Sequence, residues 1–367
     1  MLKQPLERVS PESVGLASAD IERFLDALEA SGAEMHGLMI IRHGKVAAEG
    51  WWAPYAPGIR HGLQSLTKTY AATAAGVAYD EGLVRLEDRV VDIFPDHVPA
   101  DPSAHLIQMT VRDVLRMGTG MVTMPPMGDA DWIRAFFAVP VVHAPGTAFY
   151  YNSAGSSLLG AIVRQLTGHG LTDYMKPRLF DVIGIDAANL KWLRHPDGLE
   201  NGGGGLFATT EDNARLALLY LQQGVWEGRQ VLSREWIREA TSRQIESKDD
   251  PGIPDCKLGY GFQLWMCKPP GVYRFDGAFG QYAIVFPEQD MVVAINETAA
   301  LGAGAQRTLD IVWELLLPAV GEPRPLPRAA EAAESTGSAQ ASVQPLLAAG
   351  GNDHDMVVPL RGKRGES

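Results

Sequence analysis

Only two cysteines, Cys256 and Cys267, occur in 367 residues. Two cannot build a disulfide framework, and they lack the spacing of zinc ligands, so a reducing compartment fits. No basic block rises above the net charge of −12, which argues against nucleic acid or an anionic membrane as a partner. No stretch approaches the roughly 20 apolar residues of a membrane-spanning helix. The opening segment, Met1 to Arg8, has neither an apolar run nor a small-residue cleavage site. A cytoplasmic protein is therefore expected. The nine histidines form no His-Glu-x-x-His or comparable cluster: His36 and His43 flank a predicted strand, and His61 is at most a rim residue. Neither a metal nor an organic cofactor is expected. No internal repeat is seen.

What is present is an ordinary globular composition, 46% apolar, long enough for two domains or one large α/β unit. Ser18 reads as an N-cap for a helix through Leu28. Gly37–Arg42 reads as a buried strand, with His43-Gly44 as the turn and Lys45–Trp51 as its hairpin partner. Helical patterns dominate the middle of the chain: Thr110–Met117, Leu158–Val163, Leu171–Leu179, and a helix opened by the capping pair Thr209 and Asp212. Ser233 caps another. The stretch from Pro125 to Pro140 reads as loop around Trp132–Phe137, mostly core filler. Gly202–Gly205 lacks the context of a dinucleotide loop, so it reads as a close backbone approach or a hinge. After residue 258 the texture changes to strands, Gly259–Trp265, Val272–Phe275, Gln281–Phe286 and Met291–Ile295, with the short links of an antiparallel meander. A last helix, Gln306–Leu317, would pack on that sheet, and the N-terminal hairpin would join it. The expected unit is residues 1–317, with sheet from about 1–63 and 258–317 and a helical region from about 64–257. Residues 322–367, rich in Pro, Ala, Glu, Ser and Gly, read as a disordered tail.

The stretch with the most chemistry is Gln64-Ser65-Leu66-Thr67-Lys68. It opens a small-residue, proline-free segment that reads as a buried helix. Positions i and i+3 share a helix face, so the Ser65 hydroxyl and the Lys68 amine can meet. Free N–H groups and the dipole at a helix N-terminus favour negative charge, easing deprotonation of Ser65 and keeping Lys68 neutral. A serine beside a neutral lysine is a nucleophile with its base. A helix cap followed by a surface lysine would look the same in isolation.

Further residues decide between these. Pro145-Gly146-Thr147-Ala148-Phe149-Tyr150-Tyr151-Asn152-Ser153 precedes an apolar helix, and Phe275-Asp276-Gly277-Ala278-Phe279-Gly280 falls on a strand near the C-terminal side. In this order the three stretches resemble the serine β-lactamase-like hydrolases: class C β-lactamases, penicillin-binding DD-peptidases and related esterases and amide hydrolases. The resemblance covers roughly residues 10–317. It implies an α/β (α+β) fold of the β-lactamase/transpeptidase type: an antiparallel sheet made by both chain ends, helices on both faces, and an inserted all-helical region. It also implies Ser65, Lys68 and Tyr151 as catalytic residues. Tyr151 follows from the Pro-Gly-x-x-Phe-x lead and puts Ser153 where the family has Asn; the other register, Tyr150 to Asn152, restores the Asn but breaks both flanks.

The family's third motif carries a cation where this chain has Phe275. Arg274 is one residue early and faces the other side of the strand, while Asp276 adds a negative charge. A penicillin-like carboxylate should be poorly received, and a substrate with a free amine is conceivable at Asp276. The resemblance implies an oxyanion hole from the backbone N–H groups of Ser65 and Ala278, with Ser153, Asn152, Asp276 and Gly277 lining the substrate. The expected activity is acyl-enzyme hydrolysis of small esters or amides. A β-lactamase, a peptidase of D-amino-acid or cyclic-dimer amides, and a non-catalytic acyl-binding sensor are the alternatives. The only partner expected is the small-molecule ester or amide; neither nucleic acid nor membrane is, and the oligomeric state stays open.

Overall fold

Glu34–Arg42 (β1) and Lys45–Trp51 (β2) form the hairpin predicted around His43-Gly44, whose φ angles are 53° and 75°. Two successive left-handed residues match the twist of paired strands. Four strands from the far end of the chain complete the sheet: β3 (Trp265–Met266), β4 (Tyr273–Gly277), β5 (Gln281–Phe286) and β6 (Met291–Thr298). The order is β2-β1-β6-β5-β4-β3, antiparallel throughout. In this computed structural model, which describes residues 5–126 and 128–322, β1 and β6 pair from Glu34 opposite Thr298 to Arg42 opposite Met291. The expected tail lies outside the described residues from 323 onward.

Alternation along the strands sorts the core into two layers. Leu38, Ile40, Ile284, Val293 and Ile295 meet Phe24 and Leu28 of α1 (Ser18–Ala30) on one face, together with Leu309 near the C-terminus. Met39, Phe275, Val285 and Val292 meet the helical region on the other. That region is built on α2 (Thr67–Asp80), α3 (Val111–Leu115), α4 (Trp132–Ala138), α5 (Ser153–Thr167) and α6 (Thr210–Leu221). Helix α7 (Ala303–Ile311) closes the outer face, and its continuation over 312–316 widens. Capping boxes start α3, at Thr110 and Asp113, and α6, at Thr209 and Asp212. Ser233 caps Arg234–Thr241.

Three expectations are corrected. Ser18 is the first helical residue and not the cap; its N–H and hydroxyl both donate to Glu12 Oε1, at 2.9 and 2.6 Å. The stretch around Trp132 is helical, capped by Asp131. Its buried residues Trp132, Ile133, Phe136 and Phe137 recur at helical spacing. The strand expected over Gly259–Trp265 is only Trp265–Met266. Before it the chain turns, with Gln263 at φ 59°. The buried Gln263 amide donates to the Val114 and Leu115 carbonyls and accepts from Ser156, which holds the segment against the helices instead of in the sheet.

Candidate active site

Ser65 sits in the tight turn Gln64–Leu66 that leads directly into α2. Gln64 has φ 49°, a left-handed conformation that a non-glycine residue adopts at a cost, so the chain reverses sharply just before the serine. The turn is backed by the end of β4. A Cβ on Gly277 would lie 2.1 Å from the Leu63 carbonyl oxygen and 3.1 Å from the Leu66 nitrogen. Glycine is therefore required there, and Ala278 follows immediately, beside the serine turn.

Lys68, one turn on, is buried. Its Nζ donates to Ser65 Oγ at 3.0 Å and to the Gly203 carbonyl. Burial lowers its amine from 10.5 to about 7, with Asp276 acting the other way. At neutral pH a large share of it is uncharged, as a base must be. Gly202–Gly205 is a close backbone approach, as one of the two sequence readings had it: a Cβ on Gly203 would lie 2.5 Å from the Ser153 carbonyl oxygen.

The Tyr151 ring stands 4.9 Å from Lys68 Nζ and stacks on Trp265 at 5.6 Å. Burial raises its phenol well above the ordinary range, and a hydrogen bond with Ser65 opposes that shift. It is therefore a neutral O–H at physiological pH, suited to giving a proton. Tyr150 donates its backbone N–H to Met117 O at 3.0 Å; the contacts to Ser65 and Lys68 belong to Tyr151.

Not every expected substrate residue faces the cleft. Asn152 is wholly buried. Its Oδ1 accepts the Ala154 and Gly155 N–H groups at 3.0 and 3.1 Å, and its Nδ2 points to Met121 Sδ. It caps α5 and is corrected from substrate residue to structural one. Ser153 is half-buried at the start of α5, its N–H toward Met124 Sδ at 3.3 Å.

Asp276 is not a free anion. Arg274 Nε donates to its Oδ2 at 2.7 Å. The two residues share a strand face, while Phe275 points the other way, onto Tyr220. Arg274 is fully enclosed and also lies against Cys256 Sγ at 3.4 Å and Cys267 Sγ at 3.7 Å. The strand of the third motif thus does carry a cation, but on the opposite face from position 275 and committed to Asp276. Sequence reasoning missed this pairing, although the i, i+2 spacing was a signal for it. It also missed the Gly203 carbonyl, which only the folded chain brings to Lys68.

His61 is buried between His36 and Tyr55, at ring separations of 5.4 and 5.1 Å, and burial lowers it to about 4. It is a packed residue, not a rim residue. Among the described residues no group of three or more His, Cys, Asp and Glu side chains is placed to hold a metal, and no helix is long and apolar enough to cross a membrane.

Residues 21–313 match the family model described as Beta-lactamase. The chain belongs to the beta-lactamase family. Among its relatives is penicillin-binding protein 4 of Amycolatopsis lactamdurans, 26% identical over 309 residues, covering 71% of this chain and 80% of the relative. The 6-aminohexanoate-dimer hydrolase of Paenarthrobacter ureafaciens is 24% identical over 277 residues, 70% of each chain. In fold it is similar to a penicillin-binding protein homologue from Caulobacter crescentus, with a TM-score of 0.67 at 18% identity over 83% of this chain and 99% of that one. It is also similar to EstCE1, a hydrolase with promiscuous acyltransferase activity, with a TM-score of 0.63 at 17% identity over 81% and 100%. As a beta-lactamase family member the chain is a hydrolase of the β-lactamase and penicillin-binding protein superfamily.

Proposed function

We propose that this protein hydrolyses small, uncharged esters or amides through an acyl-enzyme on Ser65. The observation that carries the reading is Lys68: a buried amine held near pH 7 with its Nζ 3.0 Å from Ser65 Oγ. Ser65 Oγ attacks the carbonyl carbon and its proton passes to Lys68. The tetrahedral oxyanion is received by the backbone N–H groups of Ser65 and Ala278. The bond to the leaving group breaks, Tyr151 gives that group its proton, and Lys68 restores the proton to Tyr151. Water then repeats the sequence on the acyl-enzyme, and Ser65 leaves protonated.

The Arg274–Asp276 pair supports the substrate class. Each charge is matched by the other, so the third motif offers no unpaired cation to a lactam carboxylate and no unpaired anion to an amine. Neutral substrates fit such a site best. The relative named for the 6-aminohexanoate dimer keeps amides beside esters within the proposal.

The test is turnover of short-chain p-nitrophenyl esters and small amides, beside nitrocefin, by the wild type and Ser65→Ala. Expected are ester or amide turnover that vanishes in the variant with its melting temperature retained, and slow or no nitrocefin hydrolysis. Turnover surviving in Ser65→Ala removes the assignment. Rapid nitrocefin hydrolysis moves the reading to a lactamase. A stable acyl adduct on Ser65 without turnover moves it to a sensor.

A further inference from the structure

Glu297 lies near the end of β6 and is wholly buried, yet nothing in the acyl-transfer scheme uses it. Its Oε1 accepts the Thr308 hydroxyl of α7 at 2.7 Å, and its Oε2 is enclosed without a hydrogen-bond partner. Leaving a buried polar atom unpaired costs about 1–3 kcal/mol, so its position is informative.

Directly against it sits Gly280. A Cβ there would lie 2.2 Å from Glu297 Oε1 and 2.3 Å from its Cγ. Gly280, at φ 87°, and Phe279, at φ 67°, belong to the short turn between β4 and β5, whose flanking residues Gly277 and Gln281 pair. Ala278 is the first residue of that turn. The backbone is tied down from the same side: Ala299 N–H donates to the Phe279 carbonyl at 3.0 Å, and Gln281 Nε2 donates to the Glu297 carbonyl at 2.6 Å. Asn296 and Thr210 continue this network, with bonds of 2.8 Å each. The Glu297 side chain is the ionisable part of the support.

We propose that Glu297 is a positioning residue: its side chain fills the space under Gly280, holds the Ala278–Gly280 turn against Ser65, and releases that turn when it ionises. The inference rests on the acyl-transfer reading, since the Ala278 N–H matters there as an oxyanion donor.

Burial raises the Glu297 carboxyl to about 8, with the Thr308 bond pulling it down. The surroundings supply no counter-charge among the described residues. Beside it on β5 is Tyr282, whose hydroxyl donates to Ala305 O at 3.0 Å. On α7, Arg307 is paired with Glu314 at 3.5 Å, and Asp310 accepts from Gln306. On β1, Glu34 lies opposite Thr298, and His36 meets the Thr298 hydroxyl at 3.3 Å. A carboxylate in this position must reach water, and the turn packed against it is partly exposed, with Phe279 38% accessible.

The consequence is a falling limb in the pH profile above pH 8, distinct from the rising limb that Lys68 sets near 7. The experiment follows, from pH 6 to 9.5, the rate of Ser65 labelling by a fluorophosphonate and kcat on a p-nitrophenyl ester, in the wild type, Glu297→Gln and Thr308→Val. Hydrogen exchange of the segment 277–281 is measured in parallel. With the carboxyl titrating at about 8 and Lys68 at about 7, the wild-type rate at pH 9 falls about sixfold below its maximum near pH 7.5. Glu297→Gln, the isosteric image of the uncharged acid, loses this limb. Thr308→Val removes a donor to the carboxylate and shifts the limb to higher pH. In exchange, the turn opens more in the wild type than in Glu297→Gln at pH 9. A limb that persists unchanged in Glu297→Gln, a flat wild-type profile to pH 9.5, or equal exchange in the two proteins overturns the inference. Absence of Ser65 labelling at every pH instead refutes the acyl-transfer reading, and the exchange comparison then still decides whether Glu297 holds the turn.

Discussion

Gly277→Ala asks whether the end of β4 sets the catalytic geometry of the Ser65 turn. The added Cβ would start 2.1 Å from the Leu63 carbonyl oxygen, against the 3.0 Å that real Cβ contacts respect. Both partners are backbone, so neither a rotamer change nor a flexible side chain can relieve the clash. The strand and the turn must separate by about 1 Å. A displacement of about 1 Å at reacting groups costs on the order of 100-fold, and loss of one oxyanion donor costs about 3–4 kcal/mol, or about 100- to 1000-fold in kcat. Overpacking of this kind lowers stability by only about 1–3 kcal/mol. The protein should therefore stay folded at 25 °C while kcat on the ester collapses and KM changes little. Gly58→Ala is the control, since nothing lies within 4 Å of a Cβ there; it should match the wild type. The assay is steady-state kinetics with a thermal melt on each variant. A folded Gly277→Ala protein with kcat within about threefold of wild type would refute the link between this contact and the oxyanion donor at Ala278.

Four further outcomes follow from the site. Because burial lowers Lys68 to about 7 and only its neutral form accepts the Ser65 proton, the acylation rate should rise through pH 7; a rate flat from pH 5.5 to 8 argues against Lys68 as base. The same shift makes the unfolded chain bind more protons than the folded one between about 7 and 10.5, so this lysine's contribution to stability grows with pH across that window; urea midpoints of Lys68→Met should lack that slope. Asp276→Asn leaves the enclosed Arg274 unpaired, which should cost about 3–5 kcal/mol, and it removes a charge that raises Lys68, so the rising limb should move to lower pH. A midpoint and a limb both unmoved would show that the pair is not coupled to the site. Asn152→Ala should lower stability by about 1–2 kcal/mol through the lost cap on α5 with KM little changed; a large KM effect would return Asn152 to the substrate.

The parts of this molecule that were legible in the sequence are those set by neighbours in the chain. His43-Gly44 dictates its own hairpin, the Thr110/Asp113 and Thr209/Asp212 pairs start their helices, and Ser65 and Lys68 meet because three residues separate them on one turn. What escaped depends on distant partners. Gln263 turns its segment out of the sheet because carbonyls at the end of α3 hold its amide. Asn152 carries a polar amide like any substrate residue, and only the direction of α5 shows that the amide caps a helix. Arg274 and Asp276 could have been matched by strand alternation, but the weight placed on the family's cation at position 275 drew attention to the wrong face. Gly203 and Glu297 come to the site from far along the chain, and no local pattern around either one announces it.

The pairing of β1 with β6 has a consequence for how the protein is made. Some 250 residues separate Arg42 from Met291, and at ribosomal rates of about 5–20 residues per second this is roughly 10–50 s of synthesis. During that interval one edge of β1, an apolar strand buried from Met35 to Arg42 in the finished fold, has no partner, and Ser65 has no β4 behind it. The nascent chain must be shielded from edge-to-edge association until its last strands emerge. Ending the chain before Met291 would remove a central strand of the sheet together with the support of the Ala278–Gly280 turn, so the sheet and the surroundings of Ser65 reach completion in the same late step.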